Sequence, residues 1–241
     1  MKIEQLSLGE KELAGLQRDT FGYFLKEANL TNGMVPDSTR KGSFASITAI
    51  GFALTAYPIG GERGYLSRAE AVARVLTTLR FFWNSEQSEE PGATGYKGFY
   101  YHFLDMETGR RAPRSELSTI DTTFLLAGFL TASIYFPRET KNEIEIRILA
   151  HKLYARVDWQ WAQNGALTVV HGWKPETGFI RYRWKGYSEA LLLYVLGLGS
   201  PAHALPAESY AAWLRTYKWK KLYELEFLYA GPLFIHHLSH V

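Results

Sequence analysis

The chain has 241 residues, 46% hydrophobic and 21% charged, an ordinary globular composition long enough for a sizeable core. Its 27 basic residues are nearly matched by 24 acidic ones, and the net charge of +3 excludes nucleic acid as the main partner. Cysteine is absent, which excludes disulfides, thiolate nucleophiles and thiolate metal ligands.

The opening MKIEQLSLGE lacks the apolar stretch of a signal peptide, so as written the chain reads as cytoplasmic. No apolar run reaches the ~18 residues a transmembrane span needs. Three Ser/Thr-x-x-Glu capping boxes follow in chain order, at Ser7, Ser67 and Thr140. After Ser67, Ala69, Ala73, Leu76, Leu79 and Trp83 recur at helical spacing opposite Glu70, Arg74, Thr77 and Arg80. After Thr140, Ile144, Ile148, Tyr154 and Val157 alternate with Glu145, Arg147, Lys152 and Arg156. These helices have one wet face.

Between them lie helices apolar nearly all round, at 46–60, 118–136 and 188–199. A helix dry on every side must be covered on every side. A further outer helix is expected near Pro206, and an apolar segment opens at Pro232. The basic KWKK at 218–221 reads as a solvated loop or helix face.

Outer and inner helices thus alternate, which predicts an all-α (α/α)6 toroid. About seven to eight of its twelve helices are legible, and the end at LSHV shows no stop signal. The expectation is one incomplete domain over 1–241, the N-terminal part of a larger ring, with an exposed apolar edge able to self-associate.

Two loops echo each other. One runs from Gly98 and one from Leu167, each with aromatic strand-like residues and a Glu-Thr-Gly turn, at Glu107–Gly109 and Glu176–Gly178. Each leads to an inner helix with an acid in its first turn, Asp121 or Glu189, twelve and eleven residues past the turn glycine. If the inner helices point the same way, both acids face one rim, beside short hairpins. Acids are also favoured there by the helix dipole alone, and Ser118 with Asp121 has capping-box spacing. Trp173, Tyr182, Trp184 and Tyr187 form an aromatic collar around Glu189 that a plain surface cap does not need.

Several stretches, among them GFYYHFLDMETGRR, LSTIDTTFLLAG, HGWKPETGFIRYRWKGYSE and PLFIHHLSHV, resemble the bacterial glycoamylase-like family. That family includes endo-β-1,2-glucanases and the glucan-processing domain of cyclic β-1,2-glucan synthases. The resemblance covers about Leu16 to Val241. It implies an (α/α)6 barrel, an inverting glycoside hydrolase of bacterial β-glucans, and members often exported to the periplasm. Family chains continue past Ser239 and His240, so this chain, or the fragment of the ring that it carries, is expected to be inactive alone if its second acid lies downstream.

Inverting hydrolysis needs a protonated acid and an opposing carboxylate roughly 6.5–9.5 Å apart. Glu189 is expected as general acid, kept protonated by desolvation against the helix dipole. Asp121 is the expected second carboxylate, as base, water holder or hydroxyl ligand; Asp37 reads as a turn residue. Phe99, Tyr101, Trp173, Trp184 and Tyr187 are candidate platforms for sugar rings, and His102, Arg181 and Arg183 candidate donors to hydroxyls. Strand alternation lets only half of them face a groove.

No cofactor is expected. His236 and His240 lack the further ligands a metal needs, and GGERG at 60–64 does not sit as a phosphate loop must. The expected partner is an oligo- or polysaccharide. A non-catalytic carbohydrate-binding or scaffold protein, or more remotely an epimerase or lyase on the same toroid, stands as the alternative.

Overall fold

The computed structural model describes residues 8–238. It is mostly helical. In chain order come α1 (Leu8–Lys26), β1 (Ala45–Ser46), α2 (Ile47–Glu62), α3 (Arg68–Asn84), β2 (Gly95–Tyr96), β3 (Phe99–Tyr101), β4 (Phe103–Leu104), β5 (Leu117–Ser118), α4 (Thr119–Tyr135) and α5 (Lys141–Ala155). A 3-10 turn at Trp161–Gln163 leads to β6 (Gly172–Lys174), β7 (Gly178–Phe179), α6 (Ala190–Leu198), α7 (Glu208–Leu214), β8 (Trp219–Leu222), β9 (Leu225–Leu228) and α8 (Leu233–Leu238).

The apolar helices α2, α4 and α6 form one row, and the amphipathic α3 and α5 lie behind them, α3 on α2 and α5 on α4. Small residues set the closeness of the first row. A Cβ on Gly51 would lie 2.4 Å from the Phe124 carbonyl oxygen, and one on Gly128 would lie 2.4 Å from that of Gly51. The α2 and α4 backbones therefore touch directly.

The buried stripes are rotated from those expected. On α3 the core face is Ala71, Val72, Val75, Leu76, Leu79 and Phe82, while Ala69 and Ala73 are exposed. On α5 it is Ile146, Leu149, Ala150, Leu153 and Tyr154, and Ile148 is exposed. Each helix carries two overlapping apolar stripes, and packing on the inner row and between α3 and α5 selects one. The inner helices are also not covered on every side: Phe52 and Ile59 of α2, Ile134 of α4 and Val195 of α6 are exposed among the described residues. KWKK is neither loop nor helix; it supplies β8, one arm of an exposed two-stranded hairpin. The helix expected from Pro206 is short, ending at Leu214.

The box at Ser67 is reciprocal, Ser67 and Glu70 each accepting from the other's backbone N–H. The box at Thr140 is half made. Thr140 accepts from the Glu143 N–H, but the Glu143 carboxylate turns inward to take two 2.9 Å bonds from Arg68 of α3. The Arg68 bond holds the Glu143 carboxyl below its ordinary range despite burial. The box expected at Ser7 begins outside the described residues.

Glu143→Ala should lower stability by about 1–2 kcal/mol. That is less than the ~3–5 kcal/mol of a fully buried broken pair, because Arg68 keeps a quarter of its side chain in water. The wild-type advantage is present above the ordinary carboxylate range and disappears as pH falls through the lowered Glu143 value. Denaturant melts of both proteins across acid pH check this.

Candidate active site

The two echoing loops meet in one five-stranded sheet of order β2-β3-β5-β6-β7. β5 pairs with β6, Leu117 facing Trp173 and Ser118 facing Gly172. In the same way β1 pairs with β4, Ala45 facing Leu104 and Ser46 facing Phe103. Each inner helix start is thereby tied to the following loop. The first N–H of α2, at Ile47, donates to the His102 carbonyl, and the first of α4, at Thr119, donates to the His171 carbonyl. Both turn glycines, Gly109 and Gly178, have φ in the left-handed region, where glycine is favoured. Asp105 additionally braces the first turn by accepting from Glu107, Thr108 and the Thr108 hydroxyl. The corresponding residue of the second turn is Lys174, so that brace is missing there.

Asp121 is the third residue of α4 and its side chain is 15% exposed. Its Oδ1 accepts from Thr48 Oγ1 at 2.6 Å, its Oδ2 from Ser118 Oγ at 2.5 Å, and its N–H donates to Ser118 Oγ at 3.2 Å. The cap reading is therefore correct, and it leaves room for more: the carboxylate also reaches across to α2. His102 Nε2 lies 3.6 Å from Asp121 Oδ1, and its Nδ1 lies 3.1 Å from Glu116 Oε1. The His102 ring stacks on Phe103 at 4.0 Å and 14°.

Glu189 occupies a different place in its helix from Asp121. It is the residue before α6, half-buried, and it caps nothing; the Ala190 N–H reaches the Ser188 hydroxyl instead. Among the described residues its carboxylate has no hydrogen-bond or ion-pair partner. The loop leading to α6 nevertheless touches the start of α4. Trp184, on the approach to α6, donates from Nε1 to Thr119 Oγ1 at the start of α4. Tyr187 meets the rings of Tyr217 and His236. The loop between is pinned by Trp213 Nε1 on the Gly186 carbonyl and by Gly186 N–H on Thr216 Oγ1.

Several of the remaining candidates are corrected, and β3 does not alternate, since Phe99, Tyr100 and Tyr101 are all buried. Phe99 is fully buried against Trp159 and Trp161, so its ring meets no ligand. Tyr101 is also fully buried, under the Arg111 guanidinium at 4.7 Å, and burial pushes its hydroxyl up to about 12. Trp184 is buried and stacked on His171 at 4.0 Å; it positions helix starts. Arg183 is committed to the carbonyls of Gln163, Asn164 and Thr168. Trp173 and Tyr187 are half-buried, Arg181 is exposed over Tyr182, and His102 is half-buried between its two acids. Asp37 is exposed in a cleft of about 350 Å³ with Phe44 and Phe103.

Thr48, Glu116 and the Arg111–Glu176 pair went unread in the sequence. Arg111 binds Glu176 bidentately at 2.6 and 3.0 Å and so locks the second Glu-Thr-Gly turn onto the first loop. Among the described residues no group of three or more His, Asp or Glu is placed to hold a metal, and no helix is long and apolar enough to cross a membrane. His236 bonds the Ala230 carbonyl at 3.3 Å; His240 lies outside the described residues.

An inner row of apolar helices backed by amphipathic ones, with acids at two inner helix starts beside β-hairpins, defines a helical fold of the glucoamylase type. Residues 181–241 match a family model described as "Putative glucoamylase". A curated relative, the exo β-1,2-glucooligosaccharide sophorohydrolase (non-reducing end) of Parabacteroides distasonis, is 26% identical over 210 residues, 83% of this chain and 28% of its own length. A Bacteroides fragilis structure with the same glucoamylase description superposes with TM-score 0.82 at 26% identity, over 97% of this chain and 59% of that one. The endo-β-1,2-glucanase of Chitinophaga pinensis, in complex with sophorotriose and glucose, superposes with TM-score 0.86 at 24% identity, over 98% and 60%, a likeness of fold. The chain is thus similar to glucoamylase-like proteins and to a hydrolase of β-1,2-glucooligosaccharides. It spans about a quarter of the curated relative and three fifths of these two structures.

Proposed function

We propose that the protein is a glycoside hydrolase of β-linked glucans, β-1,2-glucan above others, working by inversion on an (α/α)6 toroid to which this chain contributes a single domain. One observation carries the reading. A half-buried carboxylate with no partner among the described residues, Glu189, stands at the start of α6, and the loop leading to it touches the helix start that holds Asp121 in a web of donors. An acid that caps no helix and pairs with no described residue keeps its carboxyl group available to a ligand. Glu189 is the general acid that protonates the leaving oxygen. Asp121, oriented by Thr48 and Ser118, takes the proton of the attacking water or binds a sugar hydroxyl. Trp173, Tyr187 and Arg181 border the substrate. The relatives' β-1,2-glucan activities support the linkage.

The exposed Phe52, Ile59, Ile134 and Val195 support a packing partner for the open face, either further helices of the ring or a second copy.

Incubation with β-1,2-glucooligosaccharides, followed by proton NMR, tests the function. Shorter sophoro-oligosaccharides should appear, their new reducing ends first as the α-anomer. A β-anomer first overturns inversion, and tight binding without release makes this a carbohydrate-binding protein.

A further inference from the structure

We propose that His102 is a positioning residue, clamped between Glu116 and Asp121 so that it fixes the Asp121 carboxylate instead of binding a sugar hydroxyl. The inference rests on the role given to Asp121 above.

Both ring nitrogens already face carboxylate oxygens. Nδ1 is 3.1 Å from Glu116 Oε1, a hydrogen bond, and Nε2 is 3.6 Å from Asp121 Oδ1, an ion-pair distance longer than a hydrogen bond. A neutral imidazole would turn one lone pair toward an anion; an imidazolium offers a proton to each. The ring cannot swing away easily. Phe103 stacks on one side. The backbone is held at both ends, its N–H on the Glu116 carbonyl at 2.9 Å and its C=O on the Ile47 N–H at 3.1 Å. The last bond ties the ring to the start of α2, which also carries Thr48. His102, Glu116 and Thr48 therefore form one frame around Asp121.

The charged groups acting on this frame come from four elements. Asp37 lies in the loop after α1, Glu116 just before β5, Asp121 on α4, and Lys174 on β6, where it acts on Glu116. Burial opposes charge on His102, but the Glu116 bond and the fields of Asp121, Glu116 and Asp37 outweigh it and raise its pKa. Burial likewise opposes charge on Glu116, and the His102 bond with its backbone bond and the Lys174 field outweigh it and lower its pKa. The clamp is complete when Glu116 is ionised and His102 protonated. It opens as pH falls through the lowered Glu116 value or rises through the raised His102 value. The ordinary values of 4.5 and 6.5 both fall inside that window.

The test uses the full chain labelled with ¹⁵N-histidine, the His102 imidazole assigned by its loss in His102→Asn. Its titration midpoint should lie above 6.5 in the wild type and fall by about one unit in Glu116→Gln. On a β-1,2-glucooligosaccharide, Glu116→Gln and His102→Asn should each lower kcat roughly tenfold and leave KM within about twofold, the mark of misplacement and not of lost binding. Thermal melts confirm that both variants fold. A midpoint that Glu116→Gln does not move overturns the clamp. So does His102→Asn raising KM tenfold at unchanged kcat, which would make His102 a sugar ligand. If the wild type cleaves no β-glucan, the proposed function fails, and the titration, which needs no substrate, still decides whether the clamp exists.

Discussion

Glu189→Gln should lower kcat on β-1,2-glucooligosaccharides by about 10²–10⁴, the range for removing a general acid, with KM within a few-fold. Glutamine keeps the shape and the hydrogen-bonding capacity of the side chain but cannot deliver a proton to a leaving oxygen. The variant should fold normally, because the wild-type carboxylate caps nothing and makes no ion pair among the described residues. Its surroundings stay in place without it. Trp184 holds the approach to α6 through Thr119, and Trp213 and Thr216 hold Gly186. An activated substrate, whose leaving group needs little protonation, should recover much of the lost rate. Full retention of hydrolysis on the natural linkage, with an unchanged melting profile, would remove Glu189 from the mechanism.

Gly128→Ala should be strongly destabilising. The new methyl would meet the Gly51 carbonyl oxygen at 2.4 Å and the Gly51 Cα at 2.8 Å. Both are backbone atoms, so no side chain can rotate aside, and α2 must move away from α4. Overpacking of this kind costs about 3 kcal/mol, at the upper end of its usual range. For a chain of this size that is a fall in melting temperature of roughly 6–12 °C. The same displacement would stretch the 2.6 Å bond from Thr48 to Asp121, since the first residue is on α2 and the second on α4. Activity should therefore fall further than the unfolded fraction explains. Calorimetry with kinetics well below the transition separates the two effects, and a melting temperature within about 1 °C of wild type would contradict the direct helix contact.

The helical framework was legible because it depends on local pattern. Ser67 with Glu70 marks the start of α3, and the nearly charge-free runs mark α2, α4 and α6 as the inner helices. The echo of the two Glu-Thr-Gly loops was legible for a similar reason: a left-handed turn position favours glycine wherever it recurs. The stripe that each outer helix buries was not legible. Ile144 and Ile148 on α5 are as apolar as Ile146 and Leu149, and only packing against α4 and α3 separates them. Alternation also warned that some rim aromatics must face away, but could not say that all of β3, Phe99 to Tyr101, would be buried.

Sequence by itself determined the alternation of helix types, the place of Asp121 and Glu189 at the starts of two inner helices, and the family resemblance. The tertiary structure alone decided what those acids touch. Thr48 lies 73 positions from Asp121 and His102 lies 14 from Glu116, pairs that no local spacing announces. A cap is visible in sequence because its donor and acceptor are three residues apart. A clamp across α2, the hairpins and α4 exists only once chain closure over long separations has brought its members within hydrogen-bonding reach.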